Sequence, residues 1–197
     1  MKVFSIYSLG CKVNQYDGQL LREHFLAAGY TEQTDVWRGN ADGGVKEDVF
    51  VLNTCTVTEE ADKECARILR KVKRVRPEAK VVVTGCAVTA KDQALRDHAG
   101  ADVVVGNESK ARLLDLYAEA MGVDVKANPP VPSRITGFQK HCRAFVKIQD
   151  GCNEFCTFCK IPFVRGRNKS RPVSEVREEV AGLAANGYQE IVLTGVH

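Results

Sequence analysis

The sequence predicts an α/β protein built on an open, mostly parallel β-sheet, followed by a shorter βαβ unit. Short β-branched runs alternate with helical periodicity over residues 3–121, which is typical of parallel sheets with helices on their faces. Prolines in residues 127–133 indicate an extended linker between the two units. The 197 residues suit one large or two small domains, and 44% hydrophobic with 27% charged residues indicates a globular chain.

The N-terminal part contains four predicted strands and four predicted helices that alternate with them. The strands are Val3–Ser8, Asp48–Asn53, Lys80–Thr84 and Asp102–Val105. The helices are Gly18–Ala28, Thr58–Val75, Ala90–His98 and Lys110–Met121. Gly29 ends the first helix and Pro77 limits the second. Residues 39–46, which include Gly43 and Gly44, are predicted to form a surface loop.

The second unit is predicted as strand, helix and strand. Strands at Arg143–Gln149 and Glu190–Thr194 flank a helix that Ser174 can cap. That helix ends at Asn186-Gly187, and its apolar residues share one face: Val176, Val180 and Leu183. One βαβ unit cannot close a barrel and would expose strand edges and apolar faces to water. We therefore expect the barrel to continue beyond His197 in a longer protein, with cover by a partner as the alternative.

The composition argues against a membrane or secreted protein. The longest apolar runs, such as Val81–Val83, are far too short to cross a bilayer. Met1–Phe4 is predicted to belong to a strand, not to a signal peptide. We therefore expect a cytoplasmic protein with no membrane contact. Disulfides are rare in that compartment, so eight cysteines indicate metal binding or catalysis, although buried packing suits some of them.

Three cysteines at the spacing C-x3-C-x2-C, namely Cys152, Cys156 and Cys159, follow the strand at Arg143–Gln149. Three thiolates from one loop can surround a metal cluster and leave one iron without a protein ligand. At that open iron S-adenosylmethionine (SAM) can chelate and be cleaved to a radical. The spacing resembles the radical SAM signature, including the aromatic Phe158 just before the third cysteine.

A second group of three cysteines is predicted from their positions after strands. Cys11, Cys55 and Cys86 each follow a predicted strand and precede a helix. In an open parallel sheet these loops all lie along the carboxyl edge, where ligands bind. We therefore expect the three to share a metal site, with coincidental burial as the alternative. Three thiolates suit an iron–sulfur cluster with one open iron, whereas a structural zinc site normally takes a fourth ligand.

The remaining cysteines and most histidines are predicted to lie outside these sites. Cys65 falls in the middle of a helix and is interpreted as a packing residue. Cys142 begins a strand, at the opposite end from the cysteine loop, and is an unfavourable fourth ligand. His24 and His98 fall within helical patterns and are expected to be surface or core residues, while His141 has no evident partner.

The net charge is only +3, but basic residues are concentrated in two places. One group lies on the second predicted helix: Arg67, Arg70, Lys71, Lys73, Arg74 and Arg76. The other lies in the loop after the cysteine triplet: Arg165, Arg167, Lys169 and Arg171. Such groups can contact phosphates. The alternative is a solvated helix face and a polar loop.

Five segments connect these motifs to a known family: Ser8–Tyr16, Val51–Thr58, Thr84–Cys86, Val105–Asn107 and Ile148–Arg167. Together they resemble the methylthiotransferase family of radical SAM enzymes. The sequences Gly-Cys-Lys-Val-Asn and Leu-Thr-Gly-Val-His are more similar to the branch that modifies N6-threonylcarbamoyladenosine in tRNA. The resemblance implies a flavodoxin-like or Rossmann-like methylthiotransferase N-terminal domain (residues 1–126), a linker (127–141) and the start of a radical SAM partial TIM barrel (142–197). The family's C-terminal TRAM domain, which helps to bind RNA, is absent from these residues.

The resemblance also implies the cofactors. Cys152, Cys156 and Cys159, with Phe158, would bind one [4Fe-4S] cluster and SAM. Cys11, Cys55 and Cys86 would bind an auxiliary [4Fe-4S] cluster: the two clusters and SAM would together insert a methylthio group at C2 of the adenine ring. The implied partners are a tRNA anticodon stem-loop, a flavodoxin-type or ferredoxin-type electron donor and a sulfur source. Arg165, Arg167, Lys169 and Arg171 are the expected RNA contacts.

Three alternatives stay open. The same chemistry acts on N6-isopentenyladenosine in tRNA or on a ribosomal protein in other branches of the family. A non-catalytic iron–sulfur or electron-carrying module is the second alternative, although such proteins use C-x2-C spacing and a fourth cysteine. The third is a zinc protein with structural cysteines.

Overall fold

The computed structural model describes residues 2–33, 48–90, 100–125, 132–138 and 142–197. Several sequence predictions lie outside these residues. They are the loop at 39–46, nearly all of the helix at Ala90–His98, the linker residues 127–131 and His141.

The N-terminal part forms a five-stranded parallel sheet, which confirms the predicted fold class. Its strands are β1 (Val3–Ser8), β2 (Thr31–Glu32), β3 (Val49–Thr54), β4 (Lys80–Gly85) and β5 (Val103–Val105). Their order across the sheet is β2-β1-β3-β4-β5, and every neighbouring pair is parallel. The four predicted strands occur within a residue of their expected ends. The two-residue β2 was missed, because so short a segment carries no alternation.

The helices of this part are α1 (Lys12–Ala27), α2 (Glu59–Val75) and α3 (Leu113–Met121). A 3-10 turn at Asn107–Arg112 precedes α3, and residues 86–90 are helical directly after β4. The α1 helix begins at Lys12, earlier than the predicted Gly18. Gly10 adopts a φ of 91°, which turns the chain directly from β1 into the helix. Thr58 caps α2 by accepting from the Ala61 N–H.

Successive side chains on each strand point to opposite faces of the sheet, and helices cover both faces. Val49 and Val51 of β3 pack with α1 and α3 in one apolar cluster. Phe50 and Leu52 of the same strand pack with α2 in a second cluster. Each such side chain contributes about 1.5–3 kcal/mol when fully buried. The continuous apolar run of a central parallel strand therefore follows from its two covered faces.

The C-terminal part is a βαβ unit with an inserted hairpin. Its elements are β6 (Arg143–Lys147), β7 (Gln149–Asp150), α4 (Ile161–Arg165), β8 (Lys169–Ser170), α5 (Val173–Ala185) and β9 (Glu190–Thr194). The β6 and β9 strands pair in parallel, and β7 pairs with β8 in antiparallel. The prediction that Ser174 caps the helix is wrong. The helix begins at Val173 after Pro172, whose fixed φ starts the first turn without a side-chain cap.

The α1 helix joins the two parts. Its Tyr16 lies in a third apolar cluster with Phe145 of β6, Leu183 of α5 and the segment residues Ile135 and Phe138. The same helix packs against the parallel sheet through Leu21 and Phe25. It is therefore covered on two sides, by the sheet and by the βαβ unit. No helix among the described residues is long and apolar enough to cross a membrane.

Candidate functional site

Cys11, Cys55 and Cys86 lie at the carboxyl ends of three adjacent strands. They directly follow the loop or strand end of β1, β3 and β4, which are neighbours in the sheet. Cys55 and Cys86 are buried and Cys11 is exposed, and none forms a disulfide. We call these three residues and the loops that carry them the cysteine rim.

Gly10 brings two of these loops into close contact. A Cβ atom at Gly10 would lie 2.6 Å from Cys55 Sγ, closer than side-chain atoms can approach. The Cys55 side chain therefore packs directly on the backbone that precedes Cys11. Asn14 strengthens the contact, because its Nδ2 donates to Leu9 O at 2.5 Å and to Thr54 O at 3.1 Å. Glycine at position 10 and asparagine at position 14 thus hold the first two loops of the cysteine rim together.

Negative charge on one cysteine of the rim makes ionisation of its neighbours less favourable. Burial raises the pKa of Cys55, and negative charge on Cys86 and Cys11 raises it further, although backbone N–H groups partly oppose this. In the protein alone the rim therefore disfavours several thiolates together. A bound cation reverses that preference, because metal binding displaces the thiol protons.

The rate at which each cysteine is alkylated should follow its exposure to solvent. In metal-free protein at pH 8, iodoacetamide should modify the exposed Cys11, Cys142 and Cys156 well before the buried Cys55 and Cys65. Burial raises the pKa of Cys65 to about 11, so Cys65 should be among the slowest. Peptide mass spectrometry over time measures the order, and urea-unfolded protein, in which all eight should react alike, is the control. Equal rates for Cys65 and Cys156 in the folded protein would contradict the structure.

The loop that carries the second cysteine triplet is closed at its base by a backbone hydrogen bond. The Cys152 N–H donates to Gly166 O at 3.1 Å, next to the β7–β8 hairpin. Gly151 has a φ of 68°, and a Cβ there would lie 2.1 Å from Arg167 O. Cys152 is buried, Cys156 is exposed and Cys159 lies between these extremes. We call residues 152–159 the cysteine loop.

Aromatic side chains surround the exposed side of this loop. Phe155 has a φ of 48°, which is uncommon for a residue with a side chain. Its ring packs edge-on against Phe163, with ring centroids 5.7 Å apart. The Arg167 guanidinium lies 4.4 Å from the same ring centroid. Phe158 is 89% exposed, so its ring is free to contact a ligand of the loop.

The segment directly after the cysteine loop packs on the cysteine rim. Lys160 Nζ donates to Thr56 O at 3.4 Å, which joins the neighbours of Cys159 and Cys55. Asn107 Nδ2 donates to Val164 O at 2.7 Å and lies 3.7 Å from Cys86 Sγ. Two cysteine triplets from different parts of the chain are therefore brought to one region. The family resemblance implies that both clusters act on one substrate, but no motif marks the particular residues that make this contact.

Each triplet consists of three free thiols, which is the donor type that an iron–sulfur cluster takes. Within the described residues, no three metal-ligating side chains converge as tightly as a single ion requires. A polynuclear cluster binds each thiolate through a different iron atom, so it accepts a wider spacing than one zinc ion does. Three buried polar atoms around the cysteine rim also have no partner among the described residues: Thr56 Oγ1, Asn107 Oδ1 and Arg165 Nε. Such atoms are expected where a bound group is to be accommodated.

The four predicted RNA contacts fall into two groups. Arg167 and Lys169 are exposed. The Arg165 side chain is 1% exposed and pairs with Asp17 and Asp150, so it does not present its charge to solvent. Arg171 donates to buried Glu179 at 2.6 Å and is mostly covered. Only Arg167 and Lys169 are therefore placed as a surface contact requires.

The basic residues of α2 are partly engaged within the chain. Arg67 pairs with Glu64, one turn before it. Lys73 donates to Asp102 at 2.7 Å and so links α2 to the end of the sheet. Arg67 and Lys73 therefore agree with the alternative to phosphate contact, in which the basic residues of α2 form an ordinary solvated helix face.

A buried ion cluster around Asp17 was missed in the sequence. Lys110 Nζ donates to Asp17 Oδ2 at 3.1 Å, Lys147 Nζ donates to Asp17 Oδ1, and Arg165 Nη1 lies 3.5 Å from Oδ2. Burial favours a raised pKa at Asp17, but the three cations outweigh it and hold the pKa below its usual range. Asp150 accepts from Lys147 and Arg165 as well. The cluster joins α1 to the βαβ unit.

Comparison with known proteins agrees with this arrangement. The profile of the uncharacterized protein family UPF0004 matches residues 3–106, and that of the radical SAM superfamily matches residues 146–197. A solved radical S-adenosylmethionine methyltransferase, TsrM from Kitasatospora setae, shares the fold with a TM-score of 0.64 at 16% identity. The match covers 98% of this chain and 47% of that one.

Curated relatives match along the whole chain. The threonylcarbamoyladenosine tRNA methylthiotransferase MtaB of Bacillus subtilis is 37% identical over 100% of this chain and 44% of its own length. The tRNA-2-methylthio-N(6)-dimethylallyladenosine synthase of Wolbachia pipientis is 34% identical over 99% of this chain and 45% of its own. The chain thus spans less than half the length of these relatives. The chain therefore belongs to the UPF0004 family, and its residues 146–197 match the radical SAM superfamily.

Proposed function

We propose that this chain provides the two cluster sites of a tRNA methylthiotransferase that acts at C2 of N6-threonylcarbamoyladenosine, next to the anticodon. The observation that carries the proposal is the contact between the segments that carry the two cysteine triplets: Lys160, after Cys159, donates to Thr56 O, after Cys55. A reaction that moves a sulfur group to a carbon activated at a second site needs both sites at one substrate. The MtaB relatives and the Gly-Cys-Lys-Val-Asn motif support the choice of nucleoside.

Each triplet has a separate role in this proposal. Cys152, Cys156 and Cys159 would hold the [4Fe-4S] cluster that binds SAM, and Cys11, Cys55 and Cys86 would hold the auxiliary [4Fe-4S] cluster. When bound, the clusters and SAM supply the radical, the sulfur and the methyl group. The exposed Phe158 would pack against SAM, while the closed base of the cysteine loop would keep Cys152 away from water.

The tRNA would be bound beside the cysteine loop. Arg167 and Lys169 are exposed cations of the segment that follows the loop, and the Arg167 guanidinium lies over the Phe155 ring, which packs against Phe163. Unpaired bases of an anticodon loop are available for such contacts, which weaken as salt rises. A flavodoxin-type or ferredoxin-type donor and a sulfur source would complete the reaction.

Iron and sulfide content test the two-cluster proposal. After anaerobic reconstitution, Cys11→Ala and Cys156→Ala should each lose about half of the wild-type iron, because each removes one of three ligands from one cluster. Cys65→Ala and Cys142→Ala are the matched controls and should keep all of it, since neither residue belongs to a triplet. Zinc without iron or sulfide in the wild type would end the proposal. A single cluster would remove one of the two sites.

The substrate and the catalytic role need separate tests. Nucleoside analysis of tRNA from a strain that lacks the gene should show loss of the methylthio form of N6-threonylcarbamoyladenosine. Loss of the isopentenyladenosine form alone would transfer the assignment to that branch. Addition of SAM should perturb the EPR spectrum of the reduced, reconstituted protein. An unperturbed spectrum in the longer protein would favour a non-catalytic iron–sulfur module.

A further inference from the structure

Arg165 belongs in sequence to the segment after the cysteine loop, yet its side chain is anchored at the cysteine rim. Its Nη1 donates to Asp150 Oδ1 at 2.9 Å, and its Nη2 donates to Asn14 Oδ1 at 3.1 Å. Asn14 also binds the backbone oxygens of Leu9 and Thr54, which precede Cys11 and Cys55. The guanidinium is therefore fixed to the residue that holds two loops of the rim together.

The third cysteine of the rim is linked to the same segment through Asn107. The preceding residue, Val164, accepts from Asn107, whose amide lies against Cys86 Sγ. Arg165 thus follows a residue that is held beside Cys86, and the side chains of Arg165 and Cys86 are both buried.

Two features of this guanidinium are unaccounted for within the protein. Its Nε is buried and has no hydrogen-bond partner among the described residues. In the surrounding cluster, Asp17 and Asp150 provide two negative charges against the three positive charges of Lys110, Lys147 and Arg165. A buried donor without a partner and an excess positive charge are both unfavourable unless a negative group lies beside them.

We propose that Arg165 is a positioning residue of the auxiliary site: its Nε–H donates to a sulfur atom of the cluster held by Cys11, Cys55 and Cys86, and its charge offsets their thiolates. This inference rests on the proposed function. Hydrogen bonds to cluster sulfurs and nearby positive charge favour the reduced cluster, so they raise its reduction potential. Arg165 would also couple the two sites, because it moves with the backbone that follows Cys159.

The test measures the auxiliary cluster alone. In a background with Cys152, Cys156 and Cys159 all replaced by alanine, the remaining cluster is titrated anaerobically and followed by EPR. Arg165→Gln, which removes the charge and the Nε–H, should lower the reduction potential. Arg165→Lys keeps the charge near Asp17 and Asp150 but lacks the fork, and should give an intermediate potential. Arg167→Gln is the matched control: it removes an exposed arginine two residues away and should leave the potential unchanged.

The possible results test the two-cluster function and the role of Arg165 separately. If the background protein binds no cluster, the proposed two-cluster function fails. If it binds one and Arg165→Gln has the same potential and iron content as Arg167→Gln, the inference about Arg165 is overturned. If Arg165→Gln does not fold, Arg165→Lys decides, because it preserves the ion pairs. A folded Arg165→Lys protein with the wild-type potential also overturns the inference, and a lowered potential supports it.

Discussion

Glu179→Ala is expected to lower the free energy of unfolding by about 3–5 kcal/mol, because it leaves a largely buried arginine without its partner. The Glu179 side chain is fully buried. It accepts from Tyr16 Oη at 2.8 Å, from the Ile135 N–H at 2.8 Å and from Arg171 Nη1 at 2.6 Å. These donors come from α1, from the predicted linker and from the residue that follows β8. One carboxylate therefore holds three separate parts of the chain together.

The adjacent residue provides the control for this substitution. Glu178 pairs with Arg134 at the surface, where solvent screens the interaction, so Glu178→Ala should leave stability unchanged. Urea unfolding of both variants, followed by far-ultraviolet circular dichroism, measures the midpoint and the slope. Equal midpoints for the two variants would show that the buried network contributes nothing beyond a surface ion pair.

Gly151→Ala is expected to open the base of the cysteine loop. A methyl group at this position would lie 2.1 Å from Arg167 O and 2.6 Å from Gly166 O, both of which are backbone atoms that cannot rotate away. The residue also has a φ of 68°, which disfavours side chains. Backbone strain of about 1–2 kcal/mol and a steric penalty of about 1–3 kcal/mol should add to roughly 2–5 kcal/mol. The reconstituted variant should also lose about half of its iron, since the Cys152 contact to Gly166 O is lost.

Gly166→Ala separates the two causes. Gly166 has a φ of 76°, similar to that of Gly151, but no atom outside its neighbours lies within 4 Å of an added Cβ. This variant should show only the conformational strain and should keep its iron. Thermal unfolding and iron analysis of both variants, prepared side by side, make the comparison. If Gly166→Ala were as damaging as Gly151→Ala, the close approach to Arg167 would not be the cause.

The parallel sheet could be predicted because its strands carry their own signal. A run such as Val49–Thr54 is apolar and β-branched, and both faces of the strand are covered. The positions of Cys11, Cys55 and Cys86 followed from the topology, since residues after parallel strands meet at one edge. Local pattern and topology therefore located the strand-end cysteines without any knowledge of side-chain contacts.

The contacts between the two parts could not be predicted in this way. Asp17 and Lys147 are 130 residues apart, and neither has an unusual neighbour in the sequence. Arg165 and Arg171 belong to a basic loop whose other members are exposed, so the charge pattern grouped residues that folding separates. Burial of a charge depends on a partner from elsewhere in the chain, and a single sequence does not reveal that partner.

The position of α1 between the sheet and the βαβ unit has a practical consequence for anyone who wishes to dissect this molecule. Tyr16, Asp17 and Glu23 all contact groups that lie beyond residue 126: Glu179, Lys147 and the Thr136 N–H. If residues 1–126 were expressed by themselves, Asp17, Glu23 and Tyr16 would lose these partners, and the face of α1 that carries them would be exposed to water. The predicted domain boundary therefore separates residues that pack together in the interior. A stable isolated N-terminal domain would need substitutions on that face of α1.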